Sequence, residues 1–384
     1  MRRPLMVLAG MRVTRSLAAG IIYIIYPYIA LKDLGLPARE LGIIYAAAAL
    51  ATALLSILVG YAADLMGRRT SLYMASSLMV TSSLLLLLRI DIYTAVAAAI
   101  LGGISATGTM GAGGVGGAMA PVQTAILADL TSREERTRYI TWLNFGSTLA
   151  STAGLFVGGI MDYEVGLATA TALGLAALLS VALLDTPEVR ARTARMGREG
   201  SRVAAKFSAT GILNGLSSGL VTPFLVPIFI LLYDIPRSTM SVYSSLSSII
   251  AVFVMLSAPA MERKLGFVRS IAITRGATVV LLALFPFIRI LYVSLAIYLA
   301  YPALRVAALP VQTSGMVSMV PPEERGRTTG FNQGFRLAFA SAGTLMASPF
   351  IDPGLLWVPF IAYSAIMSVN VVLYRRFFGD WDER

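Results

Sequence analysis

The chain contains no cysteine and no histidine. Disulfides, thiol nucleophiles, imidazole bases and the softer metal ligands are excluded together, and most conventional catalysis goes with them. Charge is scarce as well. Only 13% of the 384 residues are charged, against about a quarter in soluble domains, and only three are lysine. All 20 acids fall in loops or within a turn or two of the end of an apolar stretch, and Asp129 is the deepest of them.

What remains is apolar: 57% of the chain is hydrophobic. The apolar runs are about 20 residues long and are punctuated by short polar segments, which suits helical membrane spans; barrel strands would alternate over about ten residues. The expected fold is an all-α membrane protein. Spans are placed at 8–31, 38–63, 70–88, 92–128, 138–160 and 165–184, and again at 207–232, 239–261, 269–288, 291–319, 328–350 and 355–377. That makes twelve transmembrane helices in two six-helix halves, 1–184 and 207–384, joined by a basic linker at 185–206 expected to lie along the cytoplasmic surface. No cleavable signal peptide is expected, since the N-terminal residues run straight into the first span.

The chain repeats itself. PVQTAILADLTSREERTR, from Pro121, returns as PVQTSGMVSMVPPEERGR from Pro310, and ungapped comparison of 121–154 with 310–343 gives ten identities in 34 positions. Each copy reads as two helices joined by a charged hairpin loop. Between Gly67 and Pro121 lie about ten more residues than between the corresponding Gly266 and Pro310. The surplus falls in the glycine-rich stretch 102–120, and eight of the sixteen residues from Gly102 to Gly117 are glycine. An unbroken helix over 92–128 would be about 55 Å long, well over the ~30 Å bilayer core, so this span is expected to be broken or to begin in a loop. Close helix packing or a flexible gate would each use such a stretch.

An even number of spans puts both termini on one face, where 21 of the Lys and Arg residues lie; the other face has Lys32, Arg39, Arg89, Arg237 and Arg289. The positive-inside rule makes the richer face, and both termini, cytoplasmic. The net charge of +11 therefore reflects topology and contact with membrane lipids, with no nucleic-acid partner implied.

Between the second and third spans lies GYAADLMGRR, with Gly60, Asp64, Gly67, Arg68 and Arg69. Gly60 allows a close helix approach and Gly67 a sharp turn, while the two arginines anchor the loop in the interface. This pattern, with twelve spans, a basic central linker and a parallel repeat, resembles the signature of the major facilitator superfamily over essentially the whole chain. The second half keeps a degraded counterpart, PAMERKLGFVR from Pro259, with Arg263 where Asp64 would stand. Span 5 carries GLFVGG, with Gly154, Gly158 and Gly159, which is similar to the motif of the superfamily's exporters except that Leu155 replaces a proline. The same glycines form a small-residue packing face. The resemblance implies a secondary transporter of the cell membrane, by default monomeric and without a cofactor, whose halves rock about a central site, the Asp64 loop serving as a cytoplasmic latch.

Embedded charges are costly and so point to function. Here they are all arginine: Arg12, Arg15, Arg275, Arg305 and Arg336. Arg12 and Arg275 are expected to snorkel toward the cytoplasmic interface. Arg15 lies deeper. Arg305 is about 13 residues from either end of its span, roughly 20 Å along the helix and so near the midplane. Arg336 shares a helical face with Asn332, and Gln333 lies one turn away. In the repeat Arg305 corresponds to Gly116 and Arg336 to Ser147, so neither cation is demanded by the two-fold architecture. Gln123, Gln312, Asn214, Asn144, Tyr23 and Tyr26 are further polar candidates for the cavity.

These residues predict transport of a small anionic or zwitterionic solute that pairs with Arg305 and Arg336. A multidrug exporter is the alternative, weakened by the lack of a deep carboxylate. An intramembrane enzyme would need clustered acids or a nucleophile with its base, and no such cluster and no phosphate-binding glycine loop occurs.

Overall fold

A computed structural model describes residues 3–104, 119, 122, 123, 126, 127, 130, 131, 133–184, 198–319, 325–351 and 354–379. The described residues are helices and turns, with no strand among them. The chain forms two compact units. One comprises Met1–Arg192 with Phe229–Ser245, the other Thr193–Ile228 with Leu246–Arg384.

In the first unit α1 (Arg3–Tyr28) runs on through a π-helical turn, Ile29–Asp33; α2 (Ala38–Met66) and α3 (Arg68–Leu88) follow, then α4 (Ile92–Gly102), α5 (Arg133–Ile160) and α6 (Tyr163–Ser180). Helix α1 packs on α5 and α6, and α3 packs on α2, α4 and α6. Asp91 starts α4 with a capping box, accepting from the Thr94 amide at 2.8 Å while the Thr94 hydroxyl accepts from the Asp91 amide. That amide holds the Asp91 carboxyl below the usual range. Gly103, at φ +63°, ends α4, so the span stops short as the length argument required. Most of the glycine-rich stretch beyond it, like much of the 185–206 linker, lies outside the described residues.

In the second unit α7 (Arg198–Val221) is broken by a 3-10 turn at Thr222–Phe224 before α8 (Leu225–Tyr233), which passes into the first unit at Phe229. Pro223 lies in that turn and Pro227 in the first turn of α8, where the missing N–H breaks no intrahelical bond; an unbroken helix through this stretch would lose a bond at each. The chain re-enters the second unit at Leu246, within α9 (Arg237–Leu256), and α10 (Ala258–Leu265), α11 (Phe267–Leu284), α12 (Leu291–Ser318), α13 (Arg325–Ala347) and α14 (Trp357–Phe378) follow there. Helix α7 packs on α13 and α14, and α11 on α12 and α14.

Nine of the described helical stretches are long and apolar enough to cross a membrane, among them Pro4–Asp33, Ser201–Tyr233 and Leu291–Thr313. Of the remaining three expected spans, the described part of α4 is too short at 11 residues. Helices α5 and α13 are long enough but more polar.

The internal repeat is visible in the packing, residue by residue. Positions before the glycine-rich stretch correspond at a spacing of 199 (Gly67 and Gly266), those after it at 189 (Pro121 and Pro310). One core cluster contains Leu8, Val59, Leu72, Val122 and Leu127, and the other contains their counterparts Phe207, Ala258, Ile271, Val311 and Met316. A Cβ on Gly154 would overlap the Leu17 carbonyl oxygen, and one on Gly20 that of Ser151. In the other half Gly343 meets Leu216 and Gly219 meets Ala340 in the same way. Gly67 and Gly266, at φ +89° and +82°, make the same turn in each half.

Candidate functional site

The middle of the second unit gathers the polar side chains that matter most. Arg305 stands halfway along α12, and its Nη1 donates to Thr222 Oγ1 at 3.3 Å. Thr222 is there because the 3-10 turn beside Pro223 interrupts the helix and turns its hydroxyl to α12. The same hydroxyl is bonded to the Tyr301 hydroxyl at 2.9 Å. Tyr301 lies one turn before Arg305, meets Tyr363 edge-to-face at 6.1 Å, and the Tyr363 hydroxyl donates to Thr278 Oγ1. Tyr363 lies within electrostatic reach of both Arg305 and Arg275.

Arg336 is buried in α13, and its Nε and Nη2 donate to Gln333 Oε1 one turn earlier. Arg305 lies near enough to repel its guanidinium. The helices that carry these two cations contain no acid: none occurs between Glu262 and Glu323, nor between Glu324 and Asp352. Arg305 donates to the Thr222 hydroxyl and Arg336 to the Gln333 amide oxygen, and α12 and α13 themselves contribute no carboxylate to balance the two charges.

Arg275 behaves differently from expectation. It does not snorkel: only 5% exposed, it donates to Asn370 Oδ1 and, at 2.8 Å, to Gln312 Oε1, with Tyr374 stacked on its guanidinium at 4.5 Å. Neutral amides and an aromatic face solvate the charge in place, which makes the excursion to the interface unnecessary. Gln312 is thereby tied to Arg275, away from Arg305. Asn332 likewise belongs to helix packing, since its amide donates to the Phe207 carbonyl and its side chain fills the space left by Gly211. Asn214 is buried on α7, and Gly215, next along the helix, packs on the Arg336 backbone.

In the first unit Arg12 donates to Asn144 Oδ1 at 2.7 Å, so it too is held inside the bundle, with Arg15 one turn on and close enough to feel its charge. Tyr26 is fully buried, and its hydroxyl donates to the Ala95 carbonyl, a helix-to-helix contact. Gln123 is 2% exposed, and neither its amide nitrogen nor its oxygen has a partner among the described residues. In the turn after α2, Arg69 donates to the Ala182 carbonyl at 2.8 Å and so ties that loop to the end of the sixth span. Helix α2 runs through Gly60 and Asp64, but the side-chain placement of Asp64 lies outside what the structure describes. Gly154 and Gly158 both meet α1, whereas Gly159 meets Ser241.

The profile of the Major Facilitator Superfamily matches residues 8–344. The chain belongs to that superfamily. Solved structures with the same fold include the nucleoside transporter NupG, 14% identical, with 98% of this chain and 99% of that one covered at a TM-score of 0.70. The human organic anion transporter MFSD10 is 18% identical over 97% of this chain and 99% of its own, at 0.70. A D-xylose-proton symporter is 14% identical over 97% and 96%, at 0.77. No curated protein sequence matches the chain. With several membrane-spanning helices and this family, the chain is a multi-pass membrane protein with a superfamily transporter fold.

Thr222, Tyr301, Tyr363 and Thr278 were not singled out from the sequence. One signal was available, because Tyr301 and Arg305 are four apart on one helix and share a face. Thr222 and Thr278 offer none; only the fold brings them to the arginine.

Proposed function

We propose that this superfamily member is a secondary transporter for a small anionic or zwitterionic solute, and that Arg305, assisted by Arg336, pairs with its carboxylate or phosphate. The observation that carries this reading is the approach of two guanidiniums in the middle of one unit whose α11, α12 and α13 hold no acid. Two like charges in an apolar bundle repel and are poorly solvated; an anionic solute relieves both costs at once. Thr222 and Tyr301 set the position of the Arg305 fork and offer hydroxyls to the same ligand.

On this reading α4, α5 and α13 complete twelve spans, residues 1–184 and 207–384 form the rocking halves on either side of the 185–206 linker, and both termini face the cytoplasm of a cell membrane. The protein moves solute without converting it, and works as a monomer. A thermal-shift screen of the purified protein tests the proposal, with dicarboxylates, phosphate esters, amino acids and lipophilic cations as ligands. A ligand at a hundred times its Kd raises stability by about 2.7 kcal/mol. The reading expects anions or zwitterions to stabilise the parent and to lose that effect in Arg305→Ala; stabilisation of both by lipophilic cations alone would move the assignment to a drug exporter.

A further inference from the structure

A second polar site lies in the first unit, at the end of α1 away from the N-terminus. A cavity of about 540 Å³ is lined there by Tyr28, Lys32, Asp162, Tyr163 and the turn Asp234–Arg237. The turn belongs to the same compact unit. It is held down by three contacts: Tyr28 donates to the Ile235 carbonyl at 2.8 Å, Lys32 pairs with Asp234, and Arg237 donates to the Met161 carbonyl. The Arg237 guanidinium also stacks on the Tyr163 ring at 4.1 Å.

The charges of this cavity pair off unevenly. Lys32 and Asp234 neutralise each other. The Arg237 charge has Asp33 within electrostatic reach, but its Nη1 is buried without a hydrogen-bond partner among the described residues, and Asp162 remains. Asp162 precedes α6 but makes no cap bond, and it is in neither of the described ion pairs, Lys32–Asp234 and Arg89–Asp91. The two are neighbours by construction, since Arg237 touches the residue on each side of Asp162, Met161 and Tyr163. Asp33 lies within reach of both the Tyr163 hydroxyl and the Arg237 charge, which leaves Asp162 as the carboxylate with no described partner.

One vacant cationic donor beside one unmatched carboxylate, within a cavity walled by two tyrosines, an isoleucine and a proline, is complementary to a solute that carries both charges and an apolar body. We propose that this cavity is a binding site for a small zwitterion, its carboxylate taken by Arg237 Nη1 and its ammonium by Asp162, with the apolar remainder against Tyr28, Ile235 and Pro236. The site is separate from Arg305, and the inference leans on the proposed transport function only for the class of solute.

The absence of cysteine makes the test direct. Pro236→Cys, at an exposed lining position, supplies a single thiol, and its rate of labelling by a maleimide is measured on the full-length protein in detergent with L-leucine as probe. Isocaproate, which lacks the amine, and isopentylamine, which lacks the carboxylate, are run beside it. Leucine is expected to slow labelling saturably and the two half-analogues to leave it unchanged. Arg237→Gln and Asp162→Asn are each expected to abolish the protection. Asp162→Asn, at an exposed residue, is expected to melt at the parent temperature, and with that checked its result stands even if Arg237→Gln misfolds. Protection is expected to survive in Arg305→Ala. Absence of leucine protection, equal protection by isocaproate, retention of protection in Asp162→Asn, or its loss in Arg305→Ala would each overturn the proposal. A finding that Arg305 is irrelevant to transport would leave these outcomes untouched.

Discussion

Gly154 and Gly343, one in each half and 189 residues apart, occupy the same place. A Cβ on either would overlap a carbonyl oxygen of the helix it crosses, Leu17 on α1 or Leu216 on α7. The glycine of the span-5 motif is thus a packing residue with a repeat-related twin. Gly154→Val and Gly343→Val are each expected to destabilise by about 1–3 kcal/mol, the usual cost of overpacking, and more if the helices cannot separate. Thermal unfolding in detergent measures this. A neutral result at both positions would remove the crossing as an explanation of the motif.

Gln123 and Gln312 are also repeat partners, but their surroundings differ. Gln312 accepts from Arg275, while Gln123 has no partner on either amide atom among the described residues. Opposite effects follow. Gln312→Met leaves an Arg275 donor unpaired and is expected to destabilise by roughly 1–3 kcal/mol, whereas Gln123→Met removes an unsatisfied buried amide and is expected to be neutral or stabilising. Paired melting curves decide it, and a loss in Gln123→Met as large as that in Gln312→Met would contradict the account.

Tyr301 and Thr222 position Arg305 through a shared hydroxyl contact. Tyr301→Phe and Thr222→Val are expected to weaken solute binding by about 1–1.5 kcal/mol, roughly tenfold in apparent affinity, while the thermal stability of the unliganded protein changes little. Unchanged affinity in both variants would take the hydroxyls out of the site.

The Asp91 cap gives a pH signature. The Thr94 amide depresses the carboxyl, so its contribution is complete above the unfolded carboxylate range and is lost as pH falls through the lower folded value. Parent and Asp91→Asn are therefore expected to differ most near neutrality and to converge in acid, as melting temperature against pH will show. A gap that widens in acid would reverse the sign of the argument.

Much of this was legible in the sequence because it is local or repeated. Hydropathy located the helices, the doubled Pro-Val-Gln-Thr stretch exposed the two-fold architecture, and Gly67 marked a turn that the structure makes at positive φ. Sequence failed where partners are distant. Arg275 lies near enough to a span end to suggest snorkelling, but its partners Gln312 and Asn370 are 37 and 95 residues away, and only packing delivers them. Asn332 was grouped with Arg336 by helical spacing, yet α7 engages it through the Phe207 carbonyl. The cavity near Asp162 depends on a turn seventy-odd residues further along the chain, and no motif announced it.

The most direct test of the central claim is counterflow in proteoliposomes. Vesicles preloaded with an anion or zwitterion found by thermal shift are given the same solute, labelled, outside. The account predicts labelled uptake by the parent, its near-complete loss in Arg305→Ala, and retention in Arg305→Lys of a weaker signal, since lysine keeps the charge but not the guanidinium fork. Undiminished counterflow in Arg305→Ala, with the protein folded and at equal density in the membrane, would contradict it.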